Sequence, residues 1–293
     1  MATANRRQLM FGLACALVTL FATSAHAARP IVAVSIPPQA YFAERIGGEL
    51  IDTQVLLPPG ASPVTYEPSP RQIVAISKAA LYLKVGHPDF VLEARHLKGL
   101  LSPKTRVLDM SEGVDFLKLE SHEHEDGHAH GESDPHLWLS PKIVREFAPR
   151  IAAALKALLP ESSAKIDQNL QIFLQEIAAL DQEIIQSLDR FRGREFVVYH
   201  PAWGYFARDY GLVQRAVETG GKDPGPAHLV RITDELRGAG CKVIFVQSGF
   251  SDRGPRVIAR EIGARVEVLD PLARDWSANL RRVAALVMEA LER

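Results

Sequence analysis

Short β-rich apolar runs alternate with stretches whose apolar residues recur at helical spacing, and the alternation occurs twice along the chain. In the first half, Ile31–Ile36, Thr53–Leu57, Ala80–Val85 and Arg106–Asp109 are predicted strands. Helices are predicted near Gln39–Ile46, Pro70–Lys78 and Asp89–Leu100, with a fourth at Pro141–Leu158. The second half repeats the scheme with strands at Glu195–Tyr199, Val213–Glu218, Cys241–Gln247 and Arg265–Leu269. Its helices fall near Ala202–Tyr210, Pro226–Ala239, Arg253–Ile262 and Ser277–Glu292. Strands separated by helices form parallel sheets covered on both faces. The predicted fold class is α/β, with two doubly wound parallel-sheet lobes.

The stretch between the halves has a different pattern. Ile166, Leu170, Phe173, Leu174, Ile177, Leu180, Ile184 and Leu188 form one helical stripe, and no Gly or Pro interrupts residues 162–192. Ser162 or Ser163 can cap this helix and Gly193 can stop it. About 29 helical residues span about 43 Å. A flexible linker would be rich in Gly, Ser or Pro, so this one reads as a stiff strut. The chain divides into a leader (1–27), a first lobe (28–160), a linker helix (161–192) and a second lobe (193–293).

The leader has the layout of a secretory signal. Arg6 and Arg7 precede the apolar run Leu9–Ala22, and Ala25-His26-Ala27 offers a cleavage site. That run is about 14 residues, short of the roughly 20 that span a membrane. Cleavage would leave the mature chain in the periplasm with Cys241 as its one cysteine, so no intrachain disulfide can form. The composition, 47% hydrophobic and 24% charged, excludes a disordered chain, a coiled coil and a polytopic membrane protein. With 34 Lys and Arg against 35 Asp and Glu, no basic excess points to nucleic acid.

Histidines carry the candidate chemistry. His122, His124, His128 and His130 crowd into the segment 121–133, where imidazole and carboxylate mix without apolar periodicity. Such a segment is an auxiliary metal-binding loop, because neutral imidazole is a good ligand for zinc and its neighbours. Elsewhere three potential donors each precede a proline or follow one: Asp134-Pro135-His136, His200-Pro201 and Asp270-Pro271. His200 and Asp270 directly follow predicted strands, and ligands of open α/β sheets collect outside the carboxyl ends of strands. Taken singly, each could be a satisfied buried polar group. Together His136, His200 and Asp270 read as a metal site between the lobes. His96 and His228 read as surface residues, while Trp138, Trp203 and Tyr205 flank the proposed ligands.

Seven segments extend the reading. They are 35–42 (SIPPQAYF), 57–63 (LPPGASP), 66–70 (YEPSP), 134–141 (DPHLWLSP), 199–206 (YHPAWGYF), 218–226 (ETGGKDPGP) and 269–272 (LDPL). In order and spacing the chain resembles the periplasmic metal-binding subunits of zinc and manganese ABC importers, of the zinc-uptake type. The resemblance implies two α/β lobes joined by one rigid helix, with a single metal in the cleft. It makes His136, His200 and Asp270 the second, third and fourth ligands. The first ligand does not carry over: where the family pattern has His, this chain has Val64, which offers no lone pair.

Three outcomes follow for that position. A water completes a His₂Asp site; another side chain substitutes, with His87, Glu67 or a His of the 122–130 loop as candidates; or the cleft no longer holds metal tightly. The function so implied is capture of a divalent ion, Zn²⁺ in preference to Mn²⁺, for an ABC permease in the inner membrane with its cytoplasmic ATPase. A monomer fits this role. The alternative is a periplasmic zinc buffer or metallochaperone acting through the His-rich loop beside a degenerate cleft. A zinc hydrolase is disfavoured, because the chain has no H-E-x-x-H, no G-x-S-x-G and no Walker A motif.

Overall fold

The computed structural model describes residues 28–118, 133–218 and 224–292. The predicted leader, residues 219–223 and the segment holding His122, His124, His128 and His130 lie outside the described residues.

The first lobe runs β1 (Ile31–Val34), α1 (Pro37–Gly47), β2 (Asp52–Val55), α2 (Pro70–Ile76), β3 (Leu81–Lys84), α3 (Val91–His96), β4 (Arg106–Asp109) and α4 (Pro141–Leu158). The long helix α5 (Ser163–Leu188) follows, and then β5 (Glu195–Val198), α6 (Gly204–Tyr210), β6 (Val213–Ala216) and α7 (Pro226–Gly238). The second lobe closes with β7 (Val243–Val246), α8 (Arg253–Ile262), β8 (Arg265–Val268) and α9 (Trp276–Leu291). Each sheet is four-stranded and parallel, and the orders β2-β1-β3-β4 and β6-β5-β7-β8 are the same topology used twice. Residue choice follows strand position. The central strands β3 (LYLK) and β7 (VIFV) are buried nearly throughout, whereas edge strands β2 (DTQV) and β6 (VQRA) carry polar, partly exposed residues.

Helix starts obey local chemistry. Ser69 Oγ accepts the Gln72 N–H at the head of α2, and Pro70 takes the first helical position. Ser140 does the same for Ile143 before α4, again with a proline next. α3 and α5 fall furthest short of their predicted spans. α3 begins at Val91 because Phe90 is extended, and it ends before Gly99, whose φ of 101° breaks the helical turn. α5 covers 26 residues, about 39 Å at 1.5 Å per residue, because residues 160–162 and 189–191 form separate 3₁₀ turns.

The stripe on α5 is buried as its spacing demands: Ile166, Leu170, Phe173, Ile177, Leu180, Ile184 and Leu188 all face inward. Along its length α5 binds both lobes. Asn169 Nδ2 donates to the Ile46 carbonyl at 3.0 Å, and Tyr210 OH donates to Asp181 Oδ1 at 3.0 Å. One apolar core continues from the first sheet through α1, α4 and α5 to α9 and α6, and a smaller cluster fills the outer face of the second sheet. Two indole groups tie the lobes directly. The Trp138 indole N–H donates to the Pro271 carbonyl, and the Trp276 indole N–H donates to the Trp138 carbonyl, both at 2.6 Å. No described helix is long and apolar enough to cross a membrane.

Candidate metal centre

His136 sits in the turn that precedes a 3₁₀ turn (Leu137–Leu139) and α4. What fixes it is Asp134, whose Oδ1 accepts the His136 backbone N–H at 2.9 Å and its Nδ1–H at 2.7 Å. Asp134 is itself anchored on both sides. Its N–H donates to the Leu117 carbonyl at 2.8 Å, and its carbonyl accepts Tyr205 OH at 3.1 Å. Burial pushes the Tyr205 phenol up to about 12, so it stays a proton donor at neutral pH. The Asp134 side chain is fully buried, and Oδ2 has no hydrogen-bond partner.

His200 directly follows β5 by two residues, and Pro201 turns the chain after it. Its Nδ1–H donates to Glu218 Oε2 at 2.7 Å. Sheet register explains the pairing. Strands β5 and β6 align Glu195 with Val213 and Val198 with Ala216, and continuing that register by two residues sets His200 opposite Glu218. The Glu218 N–H donates to the Tyr199 carbonyl at 2.9 Å, which extends the ladder to the site. With each Nδ1 held by a carboxylate, the neutral form of either ring carries its lone pair on Nε2. The two rings, one from each lobe, meet edge to face with centroids 5.5 Å apart. Phe250, after β7, stacks on His200 at 6.1 Å and 17°.

Asp270 follows β8 on a neighbouring turn. Its Oδ1 accepts the Leu272 N–H at 2.9 Å, and its carbonyl accepts Asn279 Nδ2 at 2.7 Å. It lines a small cavity shared by the two lobes, with Pro37 and Gly60 on one side and Ser248 and Arg274 on the other. The structure therefore brings His136 and His200 together and leaves Asp270 apart. Among the described residues, no three His, Cys, Asp or Glu side chains are grouped closely enough to hold a metal ion.

Val64 lies in an exposed turn, its carbonyl accepting Arg95 Nη1 at 3.0 Å. Of the candidate substitutes, the 122–130 histidines lie outside the described residues, and the other two, His87 and Glu67, are engaged elsewhere. The His87 side chain is buried, with Nδ1 accepting the Asp89 N–H at 3.1 Å and Nε2 bonded to Ser133 Oγ at 2.9 Å. Both its nitrogens are used, and its charge is disfavoured by burial even though Asp89 and Asp134 oppose that effect. Glu67 is 70% exposed and pairs with His96 at 3.5 Å. In this arrangement neither presents a lone pair to His136 and His200.

Three residues that matter here were missed in the sequence. Asp134 was visible as an acid two residues before His136, a spacing at which a carboxylate can reach the imidazole. Glu218 has no local signal, because only the β5–β6 register brings it to His200. Phe250 sits in a turn with no periodicity to mark it.

Two parallel-sheet lobes, one continuous helix between them and a pair of imidazoles facing each other from the two lobes define a two-lobed solute-binding protein. A family model described as the periplasmic component A of a zinc-uptake complex, ZnuA, matches residues 32–286. The chain belongs to this family, which serves transport and is not a family of enzymes. The high-affinity zinc uptake system protein ZnuA of Yersinia pestis is 30% identical over 274 residues, covering 86% of each chain. The zinc-binding lipoprotein AdcA of Streptococcus pneumoniae is 27% identical over 244 residues, covering 80% of this chain and 48% of its own length. Among solved structures, one described as ZnuA superposes with a TM-score of 0.82 at 39% identity, covering 90% of this chain and 99% of its own. The laminin-binding protein Lmb of Streptococcus agalactiae, described as an adhesin with metal-transporting activity, gives a TM-score of 0.76 at 26% identity. That superposition covers 90% of this chain and 99% of Lmb.

Proposed function

We propose that this protein captures a zinc ion between its lobes in the periplasm and hands it to an ABC importer, an inner-membrane permease with its cytoplasmic ATPase. The observation that carries this reading is the His136–His200 pair. Each imidazole comes from a different lobe, and each Nδ1–H is held at 2.7 Å by a carboxylate, Asp134 or Glu218. Metal-bound histidines are oriented in this way, and the carboxylates strengthen Nε2 as a donor. Asp270, on the turn after β8, is the third donor in this reading. With Val64 in the first position, and with His87 and Glu67 engaged elsewhere, a water completes a tetrahedral site. Two nitrogens and one carboxylate suit zinc better than manganese, which favours oxygen. The strut α5 and the indole ties between the lobes restrict loading to small movements.

A competitive zinc titration against a chelator of known affinity, on mature protein lacking residues 121–131, tests the reading. One equivalent bound tightly, lost in His136→Ala and retained in His87→Ala, is the expected result. Binding that disappears with the deleted segment alone would overturn cleft capture in favour of a buffer working through His122, His124, His128 and His130.

A further inference from the structure

The two lobes touch at a second place, on the surface beside the proposed ion position. The turn after β2 carries Gly60 and the turn after β7 carries Gly249, and both glycines hold positive φ, 78° and 82°. They meet backbone to backbone. A Cβ added to Gly249 would lie 2.6 Å from the Gly60 carbonyl oxygen and 3.2 Å from its carbon, closer than real Cβ atoms come. A Cβ added to Gly60 would meet nothing within 4 Å. The residue after Gly249 is Phe250, whose ring covers one face of His200. Gly60 and Ser248 also line the cavity that holds Asp270. One short turn of the second lobe therefore touches the opposite lobe, covers one proposed ligand and borders another.

We propose that the Gly60–Gly249 contact, with Phe250 over His200, is a latch between the lobes that sets how fast the bound ion leaves the cleft. While the two turns touch, Phe250 shields the imidazole, and water or a competing ligand reaches the ion only after they part. Lobes tied by α5 and by the two indole bonds cannot swing wide, so parting two turns is the small movement available for release. Affinity in related complexes is tuned mainly through dissociation, and a backbone contact with no side chain in it can break and re-form without repacking a core. This inference rests on zinc capture at His136 and His200.

A glycine outside the contact supplies the control. Gly263 also holds a positive φ, 70°, and a Cβ added there would meet nothing within 4 Å. Gly249→Ala and Gly263→Ala therefore both force a side chain into a left-handed conformation, but only Gly249→Ala collides with the other lobe. Two readouts apply to the full mature chain. In the first, zinc-loaded protein is mixed with excess chelator and release is followed by stopped flow. Gly249→Ala and Phe250→Ala should release zinc about tenfold faster, and Gly263→Ala within about threefold of the parent. In the second, metal-free protein is treated with diethylpyrocarbonate and modification of His200 is timed by mass spectrometry. Gly249→Ala and Phe250→Ala should be modified several-fold faster, with Gly263→Ala near the parent.

Failure of the parent to bind zinc in the cleft would sink the proposed function, and the latch would then be judged on His200 modification alone. Equal modification rates in parent, Gly249→Ala and Phe250→Ala would overturn the latch. So would equal acceleration by Gly249→Ala and Gly263→Ala, since that would reduce the effect to backbone strain. A thermal melt of each variant, with its transition retained, confirms that the rates belong to folded protein.

Discussion

Asp134 Oδ1 accepts both the backbone N–H and the ring Nδ1–H of His136, at 2.9 and 2.7 Å. One oxygen thus fixes both where the turn carries the histidine and which way its ring faces. On the other lobe Glu218 acts on His200 through the ring alone. Removing Asp134 should therefore cost more than removing Glu218. Asp134→Ala is expected to weaken zinc binding about 10- to 100-fold, and Glu218→Ala to sit at the lower end of that range. Asp134→Asn, which keeps an oxygen to accept Nδ1–H, should recover part of the loss. Competitive titration of the three variants ranks them, and an Asp134→Ala chain with parental affinity would show that the carboxylate is mere packing.

Gly204 is where Asp134 meets the start of α6. A Cβ there would stand 2.5 Å from Asp134 Oδ2, so Gly204→Ala must displace the carboxylate that orients His136. The expected stability loss is about 1–3 kcal/mol, typical of overpacking, together with weaker zinc binding. Gly225→Ala, whose Cβ would meet nothing within 4 Å, should leave zinc binding unchanged and cost less stability, since only the N-cap of α7 is altered. Chemical denaturation and zinc titration of the two variants make the comparison.

The indole ties predict that the lobes unfold together. Trp276→Phe keeps most of the ring against Phe42, its edge-to-face neighbour at 5.2 Å, but leaves the buried Trp138 carbonyl without its donor. The loss should be about 1–3 kcal/mol. In urea, parent and variant should each show one transition at shifted midpoints. Two separate transitions in the parent would mean that α5 and the indole bonds do not couple the lobes.

Acid should act through His87. Burial holds its imidazole below the ordinary value of 6.5, outweighing the opposite pull of Asp89 and Asp134. The folded chain therefore keeps His87 neutral while the unfolded chain takes up a proton as pH falls. Its contribution to stability is complete above 6.5 and is lost as pH drops from there toward the lower folded value. His87→Gln, which does not titrate, should lose less stability over that interval. Denaturation at a series of pH values compares the slopes, and parallel curves would contradict the assignment.

The legibility of this chain in its sequence differs from element to element. The stripe from Ile166 to Leu188 predicted a buried helical face, and all of it is buried except Leu174, which is partly buried, because helical periodicity depends only on neighbours a turn apart. The alternation of apolar runs predicted two parallel-sheet lobes for the same local reason. The helix ends were read less well: α3 and α5 stop short where Gly99 and the flanking 3₁₀ turns intervene. His136 and His200 were legible as candidate donors, because imidazole beside proline at an element boundary is a local signal.

What the sequence by itself determined is the class of fold, the strut and the donor types available. Tertiary structure alone decided how the donors are used. The β5–β6 register puts Glu218 on His200, and the lobe contact puts Phe250's turn against Gly60. Burial turns His87 from an available ligand into a residue with both nitrogens engaged. Asp270, equivalent in sequence to the other donors, ends on a separate turn. The physical reason is range. Helix and strand patterns arise from interactions within a few residues, whereas a site between lobes depends on contacts such as Trp138–Pro271 and Trp138–Trp276, 133 and 138 residues apart along the chain. No window of local sequence contains both partners of such a contact.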